Sequence, residues 1–234
     1  MNANNQTARL AGFLYLCIII FGIFAQFGVR DTLIVTGDAG ATAANILASE
    51  TLFRIGFMSD LLQTLSYLLT GYVLYAIFKA VNQHLASLIV LFVIASAPVM
   101  FLNMLNQFAA LVILDGGDYL SVFNTEQLQS MSLLFLNLHN YGYLIPGIFF
   151  GLWLLPIGLL IIQSGYMPKF VGVLLIVACI AHLITFFASF LLPEHIDTVR
   201  ALAAVPTIVP EFLLCGWLLI RGVNVGAETS PAKL

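Results

Sequence analysis

Ionisable and amide side chains interrupt an otherwise apolar sequence at only a few places: Asp60 and Gln63, Asn103 to Gln107, His139 and Tyr143, His182, and Glu211. Carboxylates and imidazoles brought together can hold a polar ligand, pass a proton or ligate a divalent metal. Inside hydrocarbon such groups are costly, so each is a functional hypothesis by default. Counted along helices at about 1.5 Å per residue, Asp60 lies about 12 Å deep, His139 about 10 Å, and His182 and Glu211 about 15 Å. Asn103, Asn106 and Gln107 fall at about 10–16 Å on the same count. One polar layer in the outer half of the membrane is therefore expected.

Helical spacing groups these residues into faces. Asp60, Gln63, Thr64, Tyr67 and Gly71 make one continuous stripe. Asn103 and Gln107 share a face, as do His139 and Tyr143, and His182, Thr185 and Ser189 align likewise. Thr207 and Glu211 are four apart, with Pro210 beside the acid. Asn140, Gly147, Gly151 and Gly158 look like a small-residue packing face. The stripes are expected to line a pocket whose ligand-binding or proton-handling residues are Asp60, Gln63, Asn103, Gln107, His139, Tyr143, His182 and Glu211. Asp60 is expected to face that pocket and to bond to the third or fourth span rather than to lipid or Arg54. Glu50 and Arg54 form a separate i, i+4 pair in the favoured order, read as an interfacial anchor. The competing reading of the whole layer is interhelical glue, each polar group satisfied by a neighbour.

The elements that carry these residues follow from composition. Of 234 residues, 61% are hydrophobic and 8% charged, and mean hydropathy is +1.04. A soluble domain carries roughly a quarter of its residues as charges, so a solvated globule is excluded. Eight Lys and Arg against eleven Asp and Glu, without a basic run, exclude a nucleic-acid partner. The lipid bilayer is the expected surrounding. Cys17, Cys179 and Cys215 lie in apolar runs and read as buried hydrophobes. Arg9 precedes an apolar stretch longer than a signal peptide's core of about 7–15 residues, so that stretch reads as the first span.

Six runs reach the roughly 20 residues needed to cross hydrocarbon. They are 10–29, 52–78, 85–114, 132–162, 170–192 and 201–220. Pro146, Pro156, Pro206 and Pro210 are expected to kink the fourth and sixth. Asp38 is the expected N-cap of a short helix in the first long loop. The fold class is all-α: a polytopic bundle of six helices in three parallel out-and-back hairpins. Residues 1–226 form one transmembrane domain, and 227–234 a short disordered cytoplasmic tail. Arg9, Lys79, Lys169, Arg221 and Lys233 fall on the side of the termini against Arg30, Arg54 and Arg200 opposite, so the termini are expected in the cytoplasm. RLAGFLYL at 9–16 and KFVGVLLI at 169–176 suggest an internal repeat of these hairpins.

Three blocks extend beyond such periodicity: RLAGFLYL at 9–16, DAGATAANILASETLFRIGF at 38–57, and HNYGYLIPGIFFGLWLLPIGLLIIQSGYMPKFVGVLL at 139–175. Together they resemble a bacterial multi-pass membrane family catalogued as domain of unknown function 4386. The resemblance implies a bacterial inner-membrane protein and supplies no activity or site residues. The function expected from the residues is binding, or transport, of a small molecule, lipid or proton in the outer-half pocket, without a cofactor, and this reading is favoured over an enzymatic one. A homodimer is expected if transport takes place. One alternative is a metal-dependent intramembrane hydrolase using His139, His182, Asp60 and Glu211, though no HExxH, GxSxG, Walker or GxGxxG motif is present. Another is an accessory or scaffold protein with a sealed bundle and no ligand.

Overall fold

The computed structural model describes residues 3–224. Of the described residues 87% are helical, and no strand occurs among them. Six helical segments are long and apolar enough to cross a membrane, at Asn5–Leu33, Glu50–Phe78, Gln83–Asp115, Thr125–Ser164, Lys169–Leu191 and Pro193–Ile220. This is a multi-pass membrane protein. Each span begins or ends a few residues beyond its apolar run, because polar caps rather than hydrophobicity terminate a helix. The tail at 227–234 lies outside the described residues.

Helix α1, Ala3–Ile23, passes into a π-helical stretch, Phe24–Arg30, and then α2, Asp31–Leu33. Asp38 caps α3, Ala39–Ala48, by accepting from the Ala41 amide at 2.8 Å, as its position suggested. Helices α4, Glu50–Phe78, and α5, Gln83–Asp115, follow, the latter running through Pro98. Asn124 and Gln127 close a capping box at the start of α6, Thr125–Leu144, each side chain bonding the other's backbone N–H at 2.9 Å. Proline breaks the fourth span as expected. Pro146 separates α6 from α7, Gly147–Leu152, and a second break at Trp153, three residues before Pro156, begins α8, Leu154–Ser164. Gly165, at φ 65°, ends α8 in the left-handed conformation that suits glycine. Pro168 precedes α9, Lys169–Leu191, and the last span ends in α10, Ile196–Ile220.

Helix α10 continues through Pro206 and Pro210 without interruption. Thr207, between the two prolines, donates back to the Ala203 and Ala204 carbonyls at 2.8 and 3.1 Å, a bonding that often accompanies a bend in a helix.

The described residues pack as two compact units. The first comprises residues 17–65 and 98–145, and the second 3–16, 66–97 and 146–224. In the first, Val29, Leu33, Ile46, Phe53, Ala110, Leu111 and Leu136 form a closed apolar cluster. Phe57 packs on Phe108 with ring centroids 5.4 Å apart, and α3 lies against α6. In the second, α8 and α9 approach so closely that a Cβ on Gly158 would stand 2.6 Å from the Gly172 carbonyl oxygen. Gly12 meets the backbone of Leu218 and Leu219 in the same manner, so both glycines of the repeated RLAGFLYL and KFVGVLLI segments serve close helix approach. Tyr15 and Tyr67 hold Trp153 at centroid distances of 5.6 and 4.8 Å.

Candidate functional site

The six candidates Asp60, Gln63, Asn103, Gln107, His139 and Tyr143 fall in the first unit, and His182 and Glu211 in the second. Within the first, α4 presents Asp60 and Gln63 from one face. Asp60 is buried, and its Oδ2 takes the Arg30 Nη1 at 2.5 Å. Arg30 Nε donates to Gln26 Oε1 at 3.0 Å, and Gln26 Nε2 donates to Asp31 Oδ1 at 2.7 Å. A charged chain thus runs Asp60–Arg30–Gln26–Asp31, three of its four members supplied by the π-helical stretch and the residue after it.

This corrects the expected partner of Asp60. The carboxylate is directed into the protein, but it bonds to the first span and not to the third or fourth. The sequence places Arg30 just past the end of an apolar run, where it reads as a loop residue. The helix instead continues through the wider π turns, which bring that side chain round to Asp60. A buried carboxylate is matched best by a permanent cation with two or more donors.

The remaining first-unit candidates are hydrogen-bonded in pairs. Gln63 Nε2 donates to the Tyr143 hydroxyl at 3.2 Å. Asn103 Nδ2 donates to the His139 carbonyl at 2.8 Å and lies 3.3 Å from its Nδ1, while Asn106 donates to Asn103 Oδ1 at 3.0 Å. Gly142 makes this possible, since a Cβ there would collide with Asn103 Oδ1. Gln107 is fully buried, and neither its amide oxygen nor its nitrogen has a hydrogen-bond partner; Asp60 Oδ1 shares that condition. Buried polar atoms in that state are rare.

A pocket of about 370 Å³ lies beside this network. Its polar wall includes Gln26, Arg30, Asp31, Asn137, His139, Asn140 and Tyr143, and Ile34, Leu133 and Leu136 form its apolar wall. His139 and Tyr143 are thereby placed at a cavity as well as in the network. Asn140 faces this pocket, whereas Gly151 and Gly158 of the expected small-residue face pack on α9.

In the second unit Glu211 holds two partners. Tyr15 donates its hydroxyl to Oε2 at 2.6 Å, and His182 Nε2 stands 2.9 Å from Oε1. Tyr15 is buried, while His182 and Glu211 keep 27% and 26% of their side-chain surface exposed. Glu50 and Arg54 pair as expected at 2.6 Å, and Arg54 also lies 3.8 Å from Asp115. The four residues considered for a metal divide between the units, and no three His, Cys, Asp or Glu side chains gather closely enough to hold a metal ion among the described residues.

Sequence reasoning missed Arg30 and Tyr15. Arg30 was assigned to a loop. Tyr15 sits in an apolar run, where tyrosine is ordinary, and only its tertiary neighbour Glu211 distinguishes it.

The family model described as "Domain of unknown function (DUF4386)" matches residues 10–222. The chain belongs to this family. An "Uncharacterized protein" of Archaeoglobus fulgidus is 29% identical over 113 residues, which is 48% of this chain and 64% of that protein. The chain therefore spans less than two thirds of that relative's length. No solved structure matches it.

Proposed function

We propose that this protein binds a small molecule or a lipid headgroup in the pocket of the first unit, at the outer boundary of a bacterial cytoplasmic membrane, with both termini in the cytoplasm. The observation that supports this most is the π-helical stretch Phe24–Arg30, which carries Gln26 and Arg30 into the pocket wall. π-Helical turns are energetically poor and occur preferentially at functional sites. The stretch brings Gln26 and Arg30 to the pocket wall with the guanidinium held on Asp60 and Gln26.

Length supports the boundary position. Arg30 follows Leu10 by about 30 Å at 1.5 Å per residue, the thickness of a hydrocarbon core. The fourth span has 40 residues. That is about 60 Å of helix, so its first turns extend beyond the hydrocarbon. His139, Tyr143, Asn137 and Asn140 then supply hydrogen bonds to a ligand arriving from water or from the headgroup layer.

The test is native mass spectrometry of the protein extracted in nanodiscs, with and without Asn140→Trp, which fills the pocket. A defined small molecule or one enriched lipid should accompany the wild type and be lost from the variant. Equal retention by both proteins would contradict the reading.

A second reading concerns the second unit. The Tyr15–Glu211–His182 chain joins a part-exposed carboxylate to a part-exposed imidazole and anchors the acid to a buried tyrosine, which supports proton handling there. Glu211→Gln should abolish a proton-dependent phenotype while leaving ligand retention by the first unit intact; loss of both would refute their independence.

A further inference from the structure

We propose that the first-unit pocket is selective for an ammonium group, carried by a small amine or by a zwitterionic lipid headgroup; the inference rests on reading that pocket as a binding site. Two charged residues line it, Arg30 and Asp31. The Arg30 charge is matched, because Nη1 is held by Asp60 at 2.5 Å and Nε by Gln26 at 3.0 Å. Asp31 is not matched. Its carboxylate accepts from the neutral Gln26 amide at 2.7 Å, and no cation pairs with it among the described residues. The lining therefore carries one uncompensated negative charge, and that charge is exposed at the pocket's edge.

The surroundings act in the same direction. The first unit holds Asp31, Asp38, Glu50, Asp60, Asp115, Asp118 and Glu126 against only Arg30 and Arg54, a formal charge of −5. A field of one sign over a concave site raises the local concentration of ions of the other sign. Asn137 and Asn140 add exposed amides able to accept from an ammonium, and Tyr143 adds an aromatic side chain to the same lining. An anion entering the pocket would instead face Asp31, with the only guanidinium already engaged.

The experiment uses the full-length chain in phosphatidylglycerol nanodiscs, with Asn137→Cys as reporter and Asn140→Cys as a second reporter. Modification is followed by peptide mass spectrometry, using trimethylammonium-ethyl and sulfonato-ethyl methanethiosulfonates, each normalised to its rate on free 2-mercaptoethanol. The cationic reagent should react about fivefold faster or more, and Asp31→Asn should bring the ratio near unity. n-Butylammonium, but not butyrate, should slow modification if the natural ammonium is soluble. Slowing by added phosphatidylethanolamine assigns it to a headgroup. Faster reaction of the sulfonate, a ratio unaffected by Asp31→Asn, or no slowing by either ammonium source would overturn the selectivity while leaving the pocket in place. Failure of both reagents to reach both reporters would overturn the pocket itself.

Discussion

Asp60 and Glu211 are both span carboxylates, and the protein treats them differently. Asp60, with 2% of its side chain exposed, is bonded to a guanidinium that never loses its charge. Glu211, with 26% exposed, is bonded to two neutral-capable partners, the His182 imidazole and the Tyr15 phenol, and to no permanent cation. The first arrangement is a fixed strut that orients a pocket wall. The second is a part-exposed chain of hydrogen bonds without a permanent charge partner. The units differ in charge as well: the first carries −5, whereas the described part of the second, with Arg9, Lys79, Lys169, Arg200 and Arg221 against Glu194, Asp197 and Glu211, carries +2.

The largest effect should come from breaking the strut. Arg30→Ala leaves a buried carboxylate with neither oxygen matched and is expected to cost about 3–5 kcal/mol in detergent unfolding. Replacing both partners, Arg30→Met with Asp60→Leu, should recover most of that stability while abolishing ligand retention. Next, Gly142→Ala drives a methyl into Asn103 and should cost about 1–3 kcal/mol, whereas Gly216→Ala, with nothing within 4 Å of the new Cβ, should be neutral or slightly stabilising. In the second unit Tyr15→Phe removes one of two bonds to Glu211 and should cost about 1–2 kcal/mol, less than the Arg30 change. A Tyr15→Phe loss equal to that of Arg30→Ala would erase the contrast between the carboxylates. The smallest effect is expected at the exposed Arg54–Glu50 pair, where Arg54→Ala should shift unfolding by under about 1 kcal/mol.

Six spans were legible because a hydrocarbon core demands about 20 apolar residues wherever a helix crosses it. Asp38 as a cap was legible because side-chain capping is local in sequence. Within the polar network, His139 beside Tyr143 followed from the 3.6-residue period, whereas Asn103 bonds Asn106 and not Gln107, the residue that shares its face. The partners across helices did not follow from it. Arg30 pairs with Asp60 only because the π-helical stretch redirects it, and π turns carry no compositional mark in FAQFGVR. The break at Pro146 was expected from proline's missing donor, whereas α10 stays one helical segment across Pro206 and Pro210, so proline alone does not say whether a helix is interrupted.

The central claim is that the Arg30–Asp60 strut supports a pocket that a ligand fills. An experimental density map of the protein, purified from native membranes and enlarged with a bound antibody fragment, tests it most directly. The expected result is non-protein density seated among Asp31, Asn137 and Asn140, with the Arg30 guanidinium still on Asp60 behind it. A pocket closed by its own side chains, or one occupied by an acyl chain with Arg30 turned away from Asp60, would contradict the account.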